Sequence, residues 1–319
     1  MVSSPLELPD NRLGLGLAAL GRPGYITLHH GEDIGPAGSP ENLRIHAHEV
    51  ISAAWGAGLR YFDAARSYGK AEEFLGSWLA TNDVSPDAVR VGSKWGYTYT
   101  AGWRVDATVH EVKDHTVDVL NRQIGETRSH LGRYLDLYQI HSVTDASGVL
   151  DNATVMDRLA DLRDGGLAIG FTTSGPDQPT TIRRAIAIER GCQPVFAAVQ
   201  STWNLLEPSA GDALGEAAEA GLVVIVKEAV ANGRLTSRNR QLTHELEAAI
   251  PGFSADSIAI AAVLAQPWAS LVLSGAATTD QLRSNVRAAA VPPNAIADLP
   301  QLAEEPETYW TTRAELPWN

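Results

Sequence analysis

Four side chains capable of acid–base work stand at or near the ends of short apolar runs in this 319-residue sequence. Asp63 closes Leu59-Arg60-Tyr61-Phe62-Asp63, Lys94 closes Val91-Gly92-Ser93-Lys94, and His141 closes Leu137-Tyr138-Gln139-Ile140-His141. Tyr68 follows Asp63 in the next loop, just before Gly69. A carboxylate, an ammonium, an imidazole and a phenol suit the reduction of a carbonyl. As the carbonyl carbon takes up a hydride, negative charge builds on its oxygen and a proton donor must meet it. Tyrosine, with a pKa of about 10, is a weak donor at neutral pH. An ammonium about 4 Å away, at an effective dielectric of about 20, attracts a phenolate by about 4 kcal/mol. At about 1.4 kcal/mol per unit, that lowers the phenol pKa by up to about three units. Asp63 would hold Lys94 charged and oriented, and His141 would direct the carbonyl oxygen. Taken singly, each of these residues is more often a cap, a solvated charge or a structural imidazole. Their joint placement carries the expectation.

That placement means something only if the strand ends meet. Short apolar runs alternate along the chain with longer amphipathic ones, the pattern of buried strands between helices. Strands are predicted at residues 12–17, 60–63, 89–94, 137–141, 168–173, 197–200, 223–227 and 271–274. The run Leu222-Val223-Val224-Ile225-Val226 has no polar alternation, as expected of a strand covered on both faces. Helices are predicted at residues 39–57, 71–80, 110–131, 154–164, 179–190, 212–220, 255–265 and 278–289. Ser39-Pro40-Glu41 reads as an N-cap followed by a first-turn proline, and Asp164-Gly165-Gly166 and Ala220-Gly221 as helix ends. Eight strands alternating with eight helices favour one closed (β/α)8 TIM barrel over residues 1–319, with long loops at its C-terminal face. In such a barrel the C-terminal strand ends form the catalytic rim, so Asp63, Lys94 and His141 would converge there beside Tyr68. The competing dinucleotide-binding sheet wants Gly-x-Gly-x-x-Gly, but after Gly14 and Gly16 the third position is Ala19, and no acidic residue follows in a second strand. The long irregular stretches are residues 18–38, 96–109 and 231–253, the last holding a minor helix at 241–250; the tail beyond Pro292, with Tyr309 and Trp310, would pack a helix over the barrel.

The run Tyr61-Phe62-Asp63-Ala64-Ala65-Arg66-Ser67-Tyr68-Gly69-Lys70-Ala71-Glu72 resembles the signature of the aldo-keto reductase family. Gly92-Ser93-Lys94 resembles its lysine strand, and Asp136 to His141 its histidine strand. The resemblance covers most of the chain, from about Leu13 to Asn285. It implies Tyr68 as proton donor supported by Asp63, Lys94 and His141. It also implies a nicotinamide cofactor held on later strands. Phe171-Thr172-Thr173-Ser174-Gly175 resembles the family's Gly-x-Ser-Asn segment, with Ser174 in place and Gly175 where an asparagine is usual. Gln200 matches the family's amide-binding glutamine, and Trp203 stands where a tyrosine would stack on the nicotinamide. Lys227 begins the segment aligned with the family's pyrophosphate loop, in which Glu228 replaces a serine. That carboxylate requires neutralising by Lys227 or a nearby arginine. Ser274, Gly275, Ala276, Gln281 and Asn285 match the adenosine-binding segment, whose amides at a helix N-terminus can bind phosphate. The family habit is NADP(H), but no Lys or Arg lies in residues 275–281 and Asp280 adds the wrong sign, so NAD(H) stays open. Arg234, Arg238 and Arg240 could instead close over a phosphate.

The activity implied is NAD(P)(H)-dependent reduction of an aldehyde or ketone, or oxidation of a sugar-like alcohol, on a small molecule. A cofactor-binding regulatory subunit and a biosynthetic imine reductase or epimerase using the same site are the alternatives. The formal net charge of −13 and the lack of any basic run beyond Arg183-Arg184 argue against nucleic acid. The N-terminal segment lacks a basic start before an apolar stretch, and no apolar run of about 18 residues suits a membrane span, so a cytoplasmic protein is expected. One cysteine, Cys192, rules out an intrachain disulfide. No metal site is expected: His46 and His48, two apart on a helix, face different sides, and His29-His30 reads as solvated loop. Tyr97, Tyr99 and Trp103 are candidate walls of the substrate pocket. No spacing rule specifies the oligomeric state.

Overall fold

The computed structural model describes residues 6–34 and 39–319. Eight parallel strands close into a barrel: β1 (Leu13–Gly16), β2 (Tyr61–Asp63), β3 (Arg90–Trp95), β4 (Leu135–Val143), β5 (Ala168–Thr173), β6 (Ala198–Thr202), β7 (Val223–Lys227) and β8 (Leu271–Ser274). Each pairs with its neighbours in sequence order, and β8 returns to β1 in the register Leu13–Val272, which closes the ring. All eight predicted strands are present, and the dinucleotide-sheet alternative falls with the closure.

The helices that follow these strands are α1 (Pro40–Gly56), α2 (Ala71–Thr81), α3 (Val117–Leu131), α4 (Ala153–Asp164), α5 (Gln178–Ile186), α6 (Gly211–Glu219), α7 (Ala255–Leu264) and α8 (Thr279–Val286). Side-chain caps start several of them. Ser39, Thr116, Asn152 and Thr278 each accept a hydrogen bond from a backbone N–H in the first turn, satisfying a donor the helix leaves orphaned. Gly166 and Gly221 take the positive φ that turns the chain back after α4 and α6.

Strand periodicity sorts the barrel side chains into two sets. Tyr61, Leu137, Ala168, Ala198, Val223, Ile225, Leu271 and Leu273 form an apolar cluster inside the barrel with Leu6. Phe62, Val91, Tyr138, Ile140, Ile169, Phe171, Val199, Val224, Val226 and Val272 pack outward under the helices. Continuing the inward rows two residues at a time reaches Asp63, Lys94, Gln139, His141, Gln200, Thr202 and Lys227. The interior is thus apolar at one end and polar and ionisable at the C-terminal end. Gly14 belongs to the inward row of β1; a Cβ there would lie 3.0 Å from the Tyr61 ring, so this glycine makes room for a core tyrosine.

Three predicted helices are shorter in the structure. Residues 110–113 are not helical: Glu111–Lys113 pairs antiparallel with Tyr97–Tyr99, and α3 begins only after the Thr116 cap. The helix predicted to reach residue 190 stops at Ile186, because Glu189–Arg190 folds back on Gln193–Pro194. The last predicted helix breaks after Val286 into a 3-10 turn, Arg287–Ala290. In the stretch expected to be irregular, His30–Ile34 forms a short helix. Arg240–Ala249 is helical as expected, and the tail helix Pro306–Ala314 buries Tyr309 and Trp310.

Helices α2 and α3 meet at Gly76, where a Cβ would stand 2.1 Å from the His130 carbonyl oxygen. Gly125 on α3 is exposed, with nothing within 4 Å of a built Cβ. The two positions therefore respond to alanine with opposite signs. Gly76→Ala is expected to destabilise by about 1–3 kcal/mol through overpacking. Gly125→Ala is expected to stabilise by about 0.5–1 kcal/mol through helix propensity. Urea denaturation of the two variants checks this; equal effects would contradict the close approach at Gly76.

Candidate active site

The inward rows deliver an ion pair to the C-terminal end of the barrel. Lys94, 1% exposed, donates from Nζ to Asp63 Oδ2, to the Ala64 carbonyl at 3.1 Å and to Tyr68 Oη at 3.3 Å. Its three ammonium protons are thereby all used. Asp63 is held on its other oxygen, where Oδ1 accepts from Gln200 Nε2 at 2.9 Å and from Gln139 Nε2 at 3.4 Å. The ammonium can only donate, so the Tyr68 oxygen accepts and its own proton points elsewhere. Tyr68 lines a cavity of about 230 Å³ together with Asp63, His141, Ser174, Gln200 and Lys227.

Burial pushes the Tyr68 phenol well above its ordinary value; the Asp63 carboxylate adds to the rise and the Arg22 guanidinium opposes it. The expected net lowering by Lys94 is not found. The Asp63 carboxylate offsets the ammonium at the phenol, and desolvation disfavours the phenolate. Tyr68 is therefore a neutral, proton-bearing phenol. Burial, then the charges of Lys94, Lys227 and Arg22, push His141 well below the usual imidazole range, so it too is neutral. Its ring stands edge-on to Tyr68, with centroids 5.5 Å apart, and Nδ1 lies 3.5 Å from Ser67 Oγ.

The later strands supply the rest of the cavity. Ser174, Gln200, Lys227, Ser274 and Gly275 line it. Gly275, Ala276, Gln281 and Asn285 line a second pocket, which shares Thr27, Val230 and Gly275 with the first. Gln281 Oε1 accepts from the Ala277 amide at 2.8 Å, and Asn285 Oδ1 accepts from Ser274 Oγ at 2.8 Å while its Nδ2 donates to Asp256 Oδ2 at 2.7 Å. Trp203, matched by the resemblance to a nicotinamide-stacking tyrosine, stands apart from this cavity. It lines neither pocket; its indole is buried in the core against Trp268, with centroids 5.7 Å apart. It follows the end of β6, where the chain turns away from the barrel mouth. Of the three candidate wall aromatics only Tyr97 faces the cavity, 5.0 Å from the His141 ring; Tyr99 pairs with Trp103.

Glu228, at a positive φ of 58°, is neutralised by the tail helix: Arg313 Nε and Nη2 both donate to it. Thr202 Oγ1 donates to it as well, at 3.0 Å. Burial alone would raise this carboxyl, but Arg313 and Lys227 hold it down to about 2. Among the arginines proposed to close over a phosphate, only Arg238 lines the second pocket, and it is paired with Asp33; Arg234 is paired with Glu304.

Sequence reasoning missed the roof. Arg22, paired with Glu111 at 2.9 Å, sits over the rings of Trp318, Tyr68 and Tyr25. Trp318 stacks on His110 at 4.1 Å, and Asn319 hydrogen-bonds to the Tyr25 backbone. These residues lie in irregular stretches with no periodic signal. Among the described residues, no cluster suits a metal ion and no helix is long and apolar enough to cross a membrane.

The model of the Aldo/keto reductase family matches residues 12–304. The aldo-keto reductase str7 of Strobilurus tenacellus is 24% identical over 348 residues, covering 95% of this chain and 94% of that protein. Pyridoxal 4-dehydrogenase of Microbacterium luteolum is 28% identical over 149 residues, but the match spans only 42% of its length and 39% of this chain. Among solved structures, the glycerol dehydrogenase of Gluconobacter oxydans superposes with a TM-score of 0.66 at 22% identity, covering 90% of each chain. The holo form of an aldo-keto reductase from Bacillus halodurans gives 0.64 at 18% identity, over 95% of this chain and 91% of that one. At such identities the structures speak to the fold.

The Glu228–Arg313 pair is expected to hold the tail helix to the barrel. Arg313→Met leaves a buried carboxylate short of its main partner. About 2–3 kcal/mol of stability should be lost, somewhat below the fully buried case because the Arg313 side chain keeps 21% of its surface exposed. Adding Glu228→Gln should restore most of it. In the parent protein the contribution is present above the unfolded carboxyl value of about 4.3 and fades as pH falls toward about 2. Denaturation curves of the single and double variants across pH check this; additive losses would show that the pair is not coupled.

Proposed function

This chain belongs to the aldo/keto reductase family, and from that premise we propose that Tyr68 protonates the oxygen of a small aldehyde or ketone at the barrel mouth, or takes the proton back when an alcohol is oxidised. The chain is an oxidoreductase of the NAD(P)-dependent kind that interconverts carbonyls and alcohols, and its substrates are small molecules. The observation that carries the assignment is the donor at Tyr68 Oη: Lys94 Nζ, 3.3 Å away and fixed by Asp63, spends one proton on the phenol oxygen and so leaves the phenol's own proton for the cavity. As that proton departs, the ammonium already stands where the new phenolate charge appears. Neutral His141, beside Tyr68, is suited to donate one N–H to the carbonyl oxygen and to set its direction.

The residues present fit a nicotinamide dinucleotide. Two neighbouring pockets have Thr27, Val230 and Gly275 as common wall residues, and a Cβ at Gly275 would meet nothing within 4 Å. When bound, the cofactor supplies or accepts the hydride at the carbonyl carbon. Ser174 and Gln200 would hold its amide end. Gln200 has committed its amide nitrogen to Asp63 and offers its oxygen. Ser274, Gly275, Ala276, Gln281 and Asn285 would hold the adenosine end.

That second pocket favours NAD(H). Asp33, Asp256 and Asp280 line it against one cation, Arg238, already paired with Asp33. Asp33 is placed to accept from a ribose hydroxyl and to repel a ribose phosphate; its partner Gln281 Nε2 lies 2.9 Å away. Quenching of tryptophan fluorescence should show NADH binding about tenfold or more tighter than NADPH. Asp33→Ser, by freeing Arg238, should narrow that gap. A preference for NADPH in the parent protein sinks this reading.

The catalytic assignment is tested with purified protein, cofactor and a panel of carbonyls, following the absorbance of reduced nicotinamide. Tyr68→Phe should cost about 10²- to 10⁴-fold in kcat while cofactor affinity is unchanged. Full activity in that variant would falsify the role of Tyr68. Tight cofactor binding without turnover on any carbonyl would favour a regulatory subunit. Substrate conversion without net cofactor consumption would point to an epimerase.

A further inference from the structure

The charges at the barrel mouth do not cancel. Among the described residues there, Arg22 is paired with Glu111, Lys94 with Asp63 and Arg313 with Glu228. Lys227 shares Glu228 with Arg313, so four cations there face three carboxylates. Its ammonium lies 3.6 Å from a Glu228 oxygen, but that carboxylate is already engaged by Arg313 and by the Thr202 hydroxyl. Lys227 Nζ donates to Thr202 Oγ1 at 2.7 Å, which uses one of its three protons on a neutral group. Only 16% of its side chain is exposed. A buried cation that must share its counter-ion is costly to the fold. Here the cost shows as a downward pull on the ammonium, to about 8, driven by burial with Arg313 and Lys94 adding and Glu228 opposing.

We propose that Lys227 binds an anionic group, a carboxylate or a phosphate ester, on the same substrate whose carbonyl or alcohol meets Tyr68. The substrate class is then a small oxo acid or hydroxy acid, or a phosphorylated aldehyde or sugar. This rests on reading the cavity as the reaction site. Two placements favour the substrate over the cofactor's phosphates. Lys227 continues the inward row of β7 after Val223 and Ile225, so it lines the cavity that holds Tyr68 and His141. It does not line the second pocket, where Ala276, Gln281 and Asn285 of the adenosine segment lie. Its charge also bears on His141, which places it on the side of the reacting groups. Bound there, the anion completes the missing ion pair in a poorly hydrated site, where a charge-assisted hydrogen bond is strong.

Two arms test it. In the first, kcat/KM is compared for matched aldehydes that differ in the anionic group: succinic semialdehyde against butanal, and glyceraldehyde 3-phosphate against glyceraldehyde. The parent protein should favour one charged member by about tenfold or more, the worth of one hydrogen bond to a charged group. Lys227→Met should abolish that ratio, in which any common loss of rate cancels, and Lys227→Arg should keep part of it. In the second arm, calorimetry follows succinate, inorganic phosphate and inorganic pyrophosphate binding to the cofactor-free protein. The favoured anion should bind the parent protein below about pH 8, weaken above it as Lys227 loses its proton, and lose this step in Lys227→Met. The charged groups facing Lys227 are Glu228, Arg313, His141 and Lys94; the first three titrate far from that range, and Lys94 is tied to Asp63. An unchanged ratio in Lys227→Met overturns the proposal. So does a loss confined to pyrophosphate and NADH affinity, which would assign the cation to the cofactor. If no aldehyde is turned over, the oxidoreductase site reading fails, and the calorimetric arm alone decides for or against Lys227.

Discussion

Ionisable groups inside a protein must find partners, and the barrel mouth is organised by that requirement. Lys94 and Asp63 come from adjacent strands and are almost wholly removed from water. Such a pair contributes little net stability once desolvation is counted, yet losing either member would strand the other. Its use here is positional. The two amides of Gln139 and Gln200 fix the carboxylate, the carboxylate fixes the ammonium, and the ammonium fixes the phenol of Tyr68. Each link is a hydrogen bond in a place where an unmade one is expensive. A second chain runs along the next strands, from Lys227 through Thr202 to Glu228 and out to Arg313 on the tail helix. The two chains share one cavity wall, so the charge state of each is felt by the other.

The same requirement explains why the residues sit where they do. A strand covered on both faces sends alternate side chains inward, and the inward rows here start apolar and end polar. Val223 and Ile225 precede Lys227, Leu137 precedes Gln139 and His141, and Tyr61 precedes Asp63. The apolar half closes the barrel against water. The polar half can then be desolvated enough to hold His141 and Tyr68 neutral.

Much of this was legible from the chain. All eight strands read from short apolar runs, most clearly at residues 222–226, where burial on both faces removes polar alternation. Asp63, Lys94 and His141 were legible because each ends such a run. What failed did so for identifiable reasons. Residues 110–113 carry a helix-like pattern, but pairing with Tyr97–Tyr99 overrides it. Trp203 matches a family tyrosine by resemblance alone, and a resemblance in sequence does not show that this residue follows the end of β6 and packs against Trp268. The partner of Glu228 lies 85 residues away in the tail, a distance no local rule bridges. The Tyr68 phenol is raised rather than lowered because burial and the Asp63 carboxylate act on it as well, and neither is visible in the spacing of Lys94 and Tyr68.

The roof follows from a last consequence of charge. The molecule carries a formal net charge of −13, so an anionic ligand meets repulsion over most of its approach. Exposed charges act over about 8 Å at physiological ionic strength, and the compensating cations must therefore stand at the mouth itself. Arg22 and Arg313 stand there, but each is bound to its own carboxylate. What they add locally is geometry: Arg22 is layered with Trp318 and Tyr25, and Arg313 ties the tail to β7 through Glu228. Both therefore narrow the entrance without attracting strongly through it. Lys227, deeper in the same cavity, shares Glu228 with Arg313 rather than holding a carboxylate of its own.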